Sequence, residues 1–286
     1  MKILLTGASG FIGGYFFKEK YKNKFNIKTF SFQNDNFDDL DLSDIDVVVH
    51  LSALVHQMQG AKKELYENIN VNNTIKLALK AKNIGVKHFI FMSTIKVYGE
   101  ESNTIYNEFT ECKPRDNYGQ SKLKAEKELL KIETNGFKIS IIRTPIVYGY
   151  EVKGNIQSLI KLISKFNILP FKDINNKRSM VYVGNLSYLI YQIIIQGKRG
   201  VFLASDTEVI STSEFMKLIA KYLNKNLYLI KIPFFRICLK ILKKSFYNRL
   251  YGSLEIDNSF TVTELNLKNP YSVEDGIKFM IKGENI

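Results

Sequence analysis

The sequence predicts an α/β chain: a doubly wound parallel sheet with a smaller C-terminal lobe built onto it. Three observations predict it. Short β-rich runs alternate with helical periodicities from the first residues onward, and strands separated by helices pair in parallel. Those runs are apolar throughout, as strands covered on both faces must be. A glycine-spaced turn joins the first run to the first helix, where sheets of this kind take up ligands.

Taken in order, "KILLTG" is a short apolar strand and "GFIGGYFFKEKY" a helix opened by glycines. "NIKTFSF" and "DVVVHLSA" are the next two strands. "NINVNNTIKLALKAKNIG" is helical, with Asn70, Thr74, Leu77, Ala78 and Ala81 on one face. "KHFIFMS" is a strand, "DNYGQSKLKAEKELLKIE" a helix and "KISIIRTPIVYG" another strand. The helix from Asp116 has a stripe of Tyr118, Lys122, Ala125, Leu129 and Ile132, opposite Gln120, Lys124, Lys127 and Lys131. Lys122 therefore falls on the buried side, which is costly unless its charge is used there or it snorkels from the helix end to water. After Gly149 the elements shorten and mix, with no Pro/Gly/Ser linker. The expected division is residues 1–149 as the first domain and 150–286 as the smaller lobe, partly interleaved with it.

With 286 residues, 45% hydrophobic and 24% charged, the chain has ample core for this plan. No run approaches the ~18 apolar residues of a membrane span, and "MKILLTG" reads as a strand rather than a signal peptide. Two cysteines, Cys112 and Cys238, are too few for a disulfide framework or zinc site, and His50, His56 and His88 lack metal-ligand spacing. No metal is expected, and a reducing, cytoplasmic setting is. The net charge of +13 comes from scattered lysines without a basic arm or nucleic-acid motif, so no nucleic-acid partner is expected. One segment, "IKIPFFRICLKILKKSFYNRLYG", is basic and apolar together. It reads as a helix covering a ligand site, with peripheral contact to a membrane surface as the alternative.

In "TGASGFIGG", Gly7, Gly10 and Gly13 stand between strand and helix. Gly7 suits a tight turn, Gly10 a close approach of backbone to a pyrophosphate, and Gly13 close helix–strand packing. The helix N-terminus then offers N–H groups and a positive dipole end to phosphate. The first half thus reads as a Rossmann-like dinucleotide-binding domain. No acidic residue is placed convincingly at the end of the second strand; Asp35 follows it, and Asp39 or Asp41 stands further on. NAD and NADP both stay open as cofactor.

"TGASGFIG", "MSTIKVYGE" and "NYGQSK" resemble the extended short-chain dehydrogenase/reductase family of nucleotide-sugar epimerases, dehydratases and reductases, nearly end to end. The resemblance implies that Thr94, Tyr118 and Lys122 are catalytic, with Ser93 as the other hydroxyl in reach of the role. It implies cofactor contacts from Gly7, Gly10, Phe11, Ile12, Gly13, Tyr118 and Lys122, from Leu51 and Ala53 in "HLSALVH", and from Asn70 in "NVNNT". "RSMVYVGNL" resembles the segment that makes Arg178 a diphosphate ligand; Thr94, Asn155 and Arg249 complete the implied substrate set, and residues 150–286 become a substrate-binding lobe. Lys122 would hold the nicotinamide ribose, and its charge, with that of the oxidised nicotinamide, would lower the Tyr118 phenol from ~10 toward neutrality, roughly 4 kcal/mol of electrostatic work.

The dehydratase branch carries Asp-Glu where this chain has Ile95 and Lys96, so water elimination is not expected. What remains is redox chemistry at C4 of a UDP-sugar. The finer resemblance, in "STIKVYGE" and "NKRSMVYVGNL", is to UDP-N-acetylquinovosamine-forming 4-keto reductases and UDP-hexosamine 4-epimerases of surface polysaccharide biosynthesis. It favours a UDP-4-keto-6-deoxy-N-acetylhexosamine 4-reductase, with a UDP-glucose or UDP-N-acetylglucosamine 4-epimerase as the alternative. A dinucleotide sensor without turnover is the reading from another class, disfavoured because the Tyr/Lys pair is present. The family also implies a homodimer.

Overall fold

The computed structural model describes residues 1–18, 23–55, 61–99 and 104–283. His56 and the end of the first expected helix lie outside the described residues. A six-stranded, all-parallel sheet forms the centre, in the order β2-β1-β3-β4-β5-β9. Its strands are β1 (Lys2–Thr6), β2 (Asn26–Phe30), β3 (Val47–His50), β4 (His88–Thr94), β5 (Lys138–Thr144) and β9 (Gly200–Leu203). Order reverses between β1 and β3, so the ligand crevice of such a sheet lies beyond their C-terminal ends.

Alternation along each strand feeds two cores. Ile3 and Leu5 of β1 join one cluster with Ile90 and Met92 of β4; Leu4, Phe89 and Phe91 join the other. The first cluster is covered by α1 (Phe11–Lys18) and by α6 (Val183–Gln196), through Leu186, Leu189, Ile190 and Ile193. The second is covered by α3 (Asn73–Ile84) and α4 (Asn117–Ile132), through Leu77, Ala78, Ala81, Ala125 and Leu129. Each large apolar side chain sunk into these layers contributes about 1.5–3 kcal/mol. A short helix α2 (Lys63–Tyr66) and a wide π-turn (Glu67–Asn72) lead into α3, which Gly85 ends in the left-handed region at φ +98°.

"KISIIRTPIVYG", expected as one strand, is two. Pro145 offers no N–H to a ladder, and beyond it β6 (Ile146–Tyr148) leaves the main sheet to pair with β8 (Met180–Tyr182). A second small sheet joins β7 (Ile168–Leu169) to β10 (Tyr228–Leu229). Around these stand α5 (Asn155–Lys165), α7 (Thr212–Tyr222), α8 (Phe235–Leu242), α9 (Lys244–Tyr251), α10 (Ser259–Leu265) and α11 (Val273–Lys282). Ser211 and Ser272 open α7 and α11 with reciprocal caps to Glu214 and Asp275. β9 and α6 belong by sequence to the second half yet complete the central sheet and its cover.

Asp206 fastens the two parts. It follows β9, is almost fully buried, and accepts from the Tyr148 hydroxyl (2.6 Å), the Asn185 amide (2.7 Å) and the Tyr182 N–H (3.0 Å). Its own N–H donates to the Met180 carbonyl at 2.9 Å. Burial pushes its carboxyl up to about 6 against those hydrogen bonds.

Candidate active site

The turn after β1 is shaped by what its glycines leave out. Gly7 has φ +74°, and a Cβ there would lie 2.8 Å from the Ser52 nitrogen. A Cβ on Gly13 would lie 2.2 Å from the Gly7 carbonyl oxygen, so no other residue lets α1 start so close to β1. On Gly10 a Cβ would meet only that same oxygen, at 3.2 Å; it would fill the open side of the cradle. The first-turn N–H groups of α1 have no carbonyl within the helix to take. A dinucleotide pyrophosphate fits this cradle. The Phe11 and Ile12 side chains pack into the cores, so what they offer a cofactor is backbone N–H.

Beside the cradle, the loop after β3 carries half-buried Leu51 and Ala53. It is held by a line of hydrogen bonds whose direction is fixed. The Thr74 hydroxyl donates to the Asn70 carbonyl at 2.8 Å, so it accepts from His50 Nε2 at 2.9 Å. His50 Nδ1 then accepts from the Thr6 hydroxyl at 2.7 Å, whose oxygen takes the Ser52 N–H at 3.2 Å. Burial, helped by the Lys122 charge, pushes this imidazole down to about 3, so it stays neutral. Asn70, inside the π-turn, binds the Leu54 N–H (2.8 Å), the Leu54 carbonyl (3.0 Å) and the Ser121 hydroxyl (3.0 Å). It stands beside the crevice but spends its amide holding the loop to α4.

At the other end of the crevice β4 presents Thr94, and α4 presents Tyr118 and Lys122. Asp116 starts α4 by accepting the Gly119 N–H at 2.6 Å, and Lys96 pairs with it at 2.6 Å. Lys122 is 2% exposed; its ammonium donates to the Met92 carbonyl at 2.7 Å and lies 4.2 Å from the Phe91 ring centre. Burial pushes it down to about 7, against the pull of Glu126. Tyr118, half-buried with its ring 6.2 Å from that of Tyr66, has its phenol pushed up by burial first and by Asp116 next. In the protein alone the phenol is thus held protonated; the expected depression belongs to the state with oxidised cofactor beside it.

Thr94 and Ser93 point to different partners. The Ser93 hydroxyl donates to Glu126 inside a buried cluster, where Glu126 pairs with Arg143 at 2.7 Å and Arg143 donates to the Tyr98 hydroxyl at 2.7 Å. Ser93 is thereby committed to the back of the strand. The Thr94 oxygen accepts the Lys96 N–H at 3.3 Å. Ile95 is buried and Lys96 ion-paired, so neither supplies an acid at this strand end.

Two residues beyond Thr144, the register partner of Thr94, Ile146 begins the wall of a cavity of about 340 Å³. Asn155, Arg178 and Arg249 all line it, over a floor that includes Ile156, Phe171 and Phe215. Among its described lining residues are two arginines and no carboxylate. The Arg178 guanidinium donates to the Gly252 and Arg249 carbonyls at 3.0 and 3.2 Å, and Arg249 donates to Asn155 at 3.1 Å. Ser211, Thr212 and Phe246 also line the wall and were not anticipated; polar residues at a helix start and one aromatic carry no spacing that marks them. Of the segment expected to cover a ligand, only α9 borders the cavity, through Phe246, Arg249 and Leu250. No α8 residue is in the lining.

Residues 3–202 match the NAD dependent epimerase/dehydratase family. The chain belongs to this family. The chain is similar to UDP-glucose 4-epimerase of Vibrio cholerae, 37% identical over 96% of this chain and 93% of that one. N-acetyl-alpha-D-glucosaminyl-diphospho-ditrans,octacis-undecaprenol 4-epimerase of Escherichia coli O157:H7 is 28% identical over 81% of this chain and 75% of its own length. In fold, the chain is similar to UDP-glucuronic acid 4-epimerase from Bacillus cereus in complex with NAD, with a TM-score of 0.78 at 22% identity over 99% and 98% of the two chains. As a family member the chain is an extended short-chain dehydrogenase/reductase enzyme, and its cofactor is NAD or NADP.

Proposed function

We propose that this chain interconverts UDP-sugars by oxidation and reduction at C4, as a 4-epimerase. The observation that carries the reading is Thr94 at the end of β4, with Tyr118 and Lys122 at the start of α4, next to a strand, β5, whose chain runs two residues past the partner of Thr94 into a cavity holding Arg178 and Arg249 and no carboxylate among its described lining residues. Arginine forks suit diphosphate oxygens, and an apolar floor with few polar groups suits a nucleoside. Bound NAD or NADP supplies the hydride acceptor and donor. As the phenolate, which the positive charge of the bound oxidised cofactor and of Lys122 would have to favour over the protonated form of the protein alone, Tyr118 takes the proton of the C4 hydroxyl and returns it, and Thr94 binds the same oxygen. Lys122, whose ammonium also donates to the Met92 carbonyl, would hold the ribose of the cofactor with its remaining N–H groups. Arg178, Arg249 and Asn155 hold the diphosphate end. Gly7, Gly10 and Gly13, with the Phe11 and Ile12 N–H groups, cradle the pyrophosphate, while Leu51 and Ala53 line the cofactor and Asn70 positions their loop.

The 37% identity with an epimerase along nearly the whole chain favours this over the 4-keto reductase that the finer motifs suggested. Both readings use the same residues. The test is to incubate the purified chain with UDP-glucose and UDP-N-acetylglucosamine, resolve the products, and identify by mass the cofactor released on denaturation. Retained NAD with formation of the 4-epimer is expected, and Tyr118→Phe should keep cofactor while losing about 10²–10⁴-fold in turnover. Consumption of NADH or NADPH with a UDP-4-keto-6-deoxy sugar and no epimer assigns the reductase. An unaltered Tyr118→Phe variant sinks both.

A further inference from the structure

From Phe215 to Leu254 the chain carries Lys217, Lys221, Lys225, Lys231, Arg236, Lys240, Lys243, Lys244 and Arg249, and not one Asp or Glu. Against a whole-chain count of 41 basic and 28 acidic residues, this is a segregation of charge. At its centre stands α8. Phe235 and Leu239 pack into the second-lobe core. Arg236 leans over the Tyr247 and Tyr251 rings of α9, 5.9 and 5.2 Å from their centres, which fixes the two helices as a hairpin. The remaining face has no cover: Phe234 is 77% exposed, Ile237 58%, Ile241 74% and Leu242 80%. Phe234, Ile237 and Ile241 fall at i, i+3 and i+7, one stripe, with Leu242 beside it.

We propose that this face of α8 docks the protein on an anionic lipid bilayer, with Phe234, Ile237, Ile241 and Leu242 entering the headgroup–acyl boundary and the surrounding lysines meeting lipid phosphates. Charge decides the occupant. A second copy seated face to face would set Lys231, Arg236, Lys240, Lys243 and Lys244 against the same five cations, with no carboxylate in the stretch to receive them. Among the described residues those five make no ion pair within the chain. A nucleic acid would satisfy the cations but leave four large apolar side chains against phosphate. An anionic bilayer takes both, as interfacial helices with a basic rim do. Two turns of free peptide would not hold a helix in water. Here the fold has already formed it, so no ordering cost falls on docking. The inference is independent of which sugar is bound.

The test is co-sedimentation of the full chain with phosphatidylcholine vesicles made with and without phosphatidylglycerol. Sedimentation is expected only with phosphatidylglycerol, falling by about tenfold or more at high salt. The triple variants Ile237→Ser/Ile241→Ser/Leu242→Ser and Lys240→Glu/Lys243→Glu/Lys244→Glu should each lose binding by about tenfold, with melting midpoint and cofactor retention unchanged. The chain contains no tryptophan, so Phe234→Trp supplies a single reporter that needs no destabilising change. Its emission should shift to the blue on adding phosphatidylglycerol vesicles and be quenched by lipids brominated in the acyl chain. Emission unmoved by those vesicles overturns the proposal. So does equal binding by native and triple-serine chains, or a lipid-free dimer that the triple-serine variant dissolves.

Discussion

Lys122 keeps its ammonium between one main-chain carbonyl and the face of Phe91, and burial pushes it down to about 7 in spite of those contacts. Above pH 7 the folded chain sheds a proton that the unfolded chain keeps up to 10.5, so stability of the ligand-free protein climbs with pH across that window. Lys122→Met, which fills the same channel without charge, should be more stable than the native chain at the low end, with the gap closing toward the high end. Urea midpoints at both ends check this. The same residue was legible in the sequence because a cation on an apolar stripe is conspicuous. The choice between Ser93 and Thr94 was not legible from alternation, since β4 is buried on both faces and in–out periodicity carries no information there. Nor was Glu126 conspicuous. It follows Ala125 and precedes Lys127 in what reads as a solvated run, and only Arg143, arriving from β5, explains its burial.

Among elements, the π-turn before α3 has the largest effect on the site. The regular spacing of Asn70 and Thr74 predicted their shared face, and both are buried. The extra residue in the turn was invisible to a 3.6-residue pattern. It delivers Asn70 to a loop and a helix at once. Asn70→Ala would strip the Leu54 N–H and carbonyl of their partner, at about 1–3 kcal/mol. Its melting midpoint should fall and its cofactor affinity drop together, whereas Asn72→Ala, on the exposed side of the same turn, should change neither. The split at Pro145 was legible in principle, since proline forbids one ladder bond. The side of the chain to which β6 turns was set by β8, which lies more than thirty residues on.

For the whole molecule, acid is a liability. His50 and His88 are pushed down to about 3 and about 4 by burial, from 6.5. An unfolded chain protonates both as pH falls below 6.5, so their contribution is present above that value and is lost toward pH 3. Asp206, pushed up from 3.8 to about 6, works the other way over that interval, one proton against two. Urea midpoints should therefore fall between pH 6.5 and 4. The place of β9 in the central sheet was not legible, because β9 is a four-residue strand whose partner, β5, lies over fifty residues earlier. The Asp206 knot has a consequence for local opening. A carboxylate bound by β6, β8 and α6 from one side and rooted behind β9 on the other is a rivet, so these elements are held together at that point. The opposite wall is tied more through side chains: α9 is held by Arg178, by the Arg249–Asn155 contact, and by Asn176 and Thr212 donating to the Leu250 carbonyl. In hydrogen exchange, the amides of Tyr182 and Asp206 should outlast those of residues 244–252 by orders of magnitude, and a ligand with a diphosphate should slow only the latter.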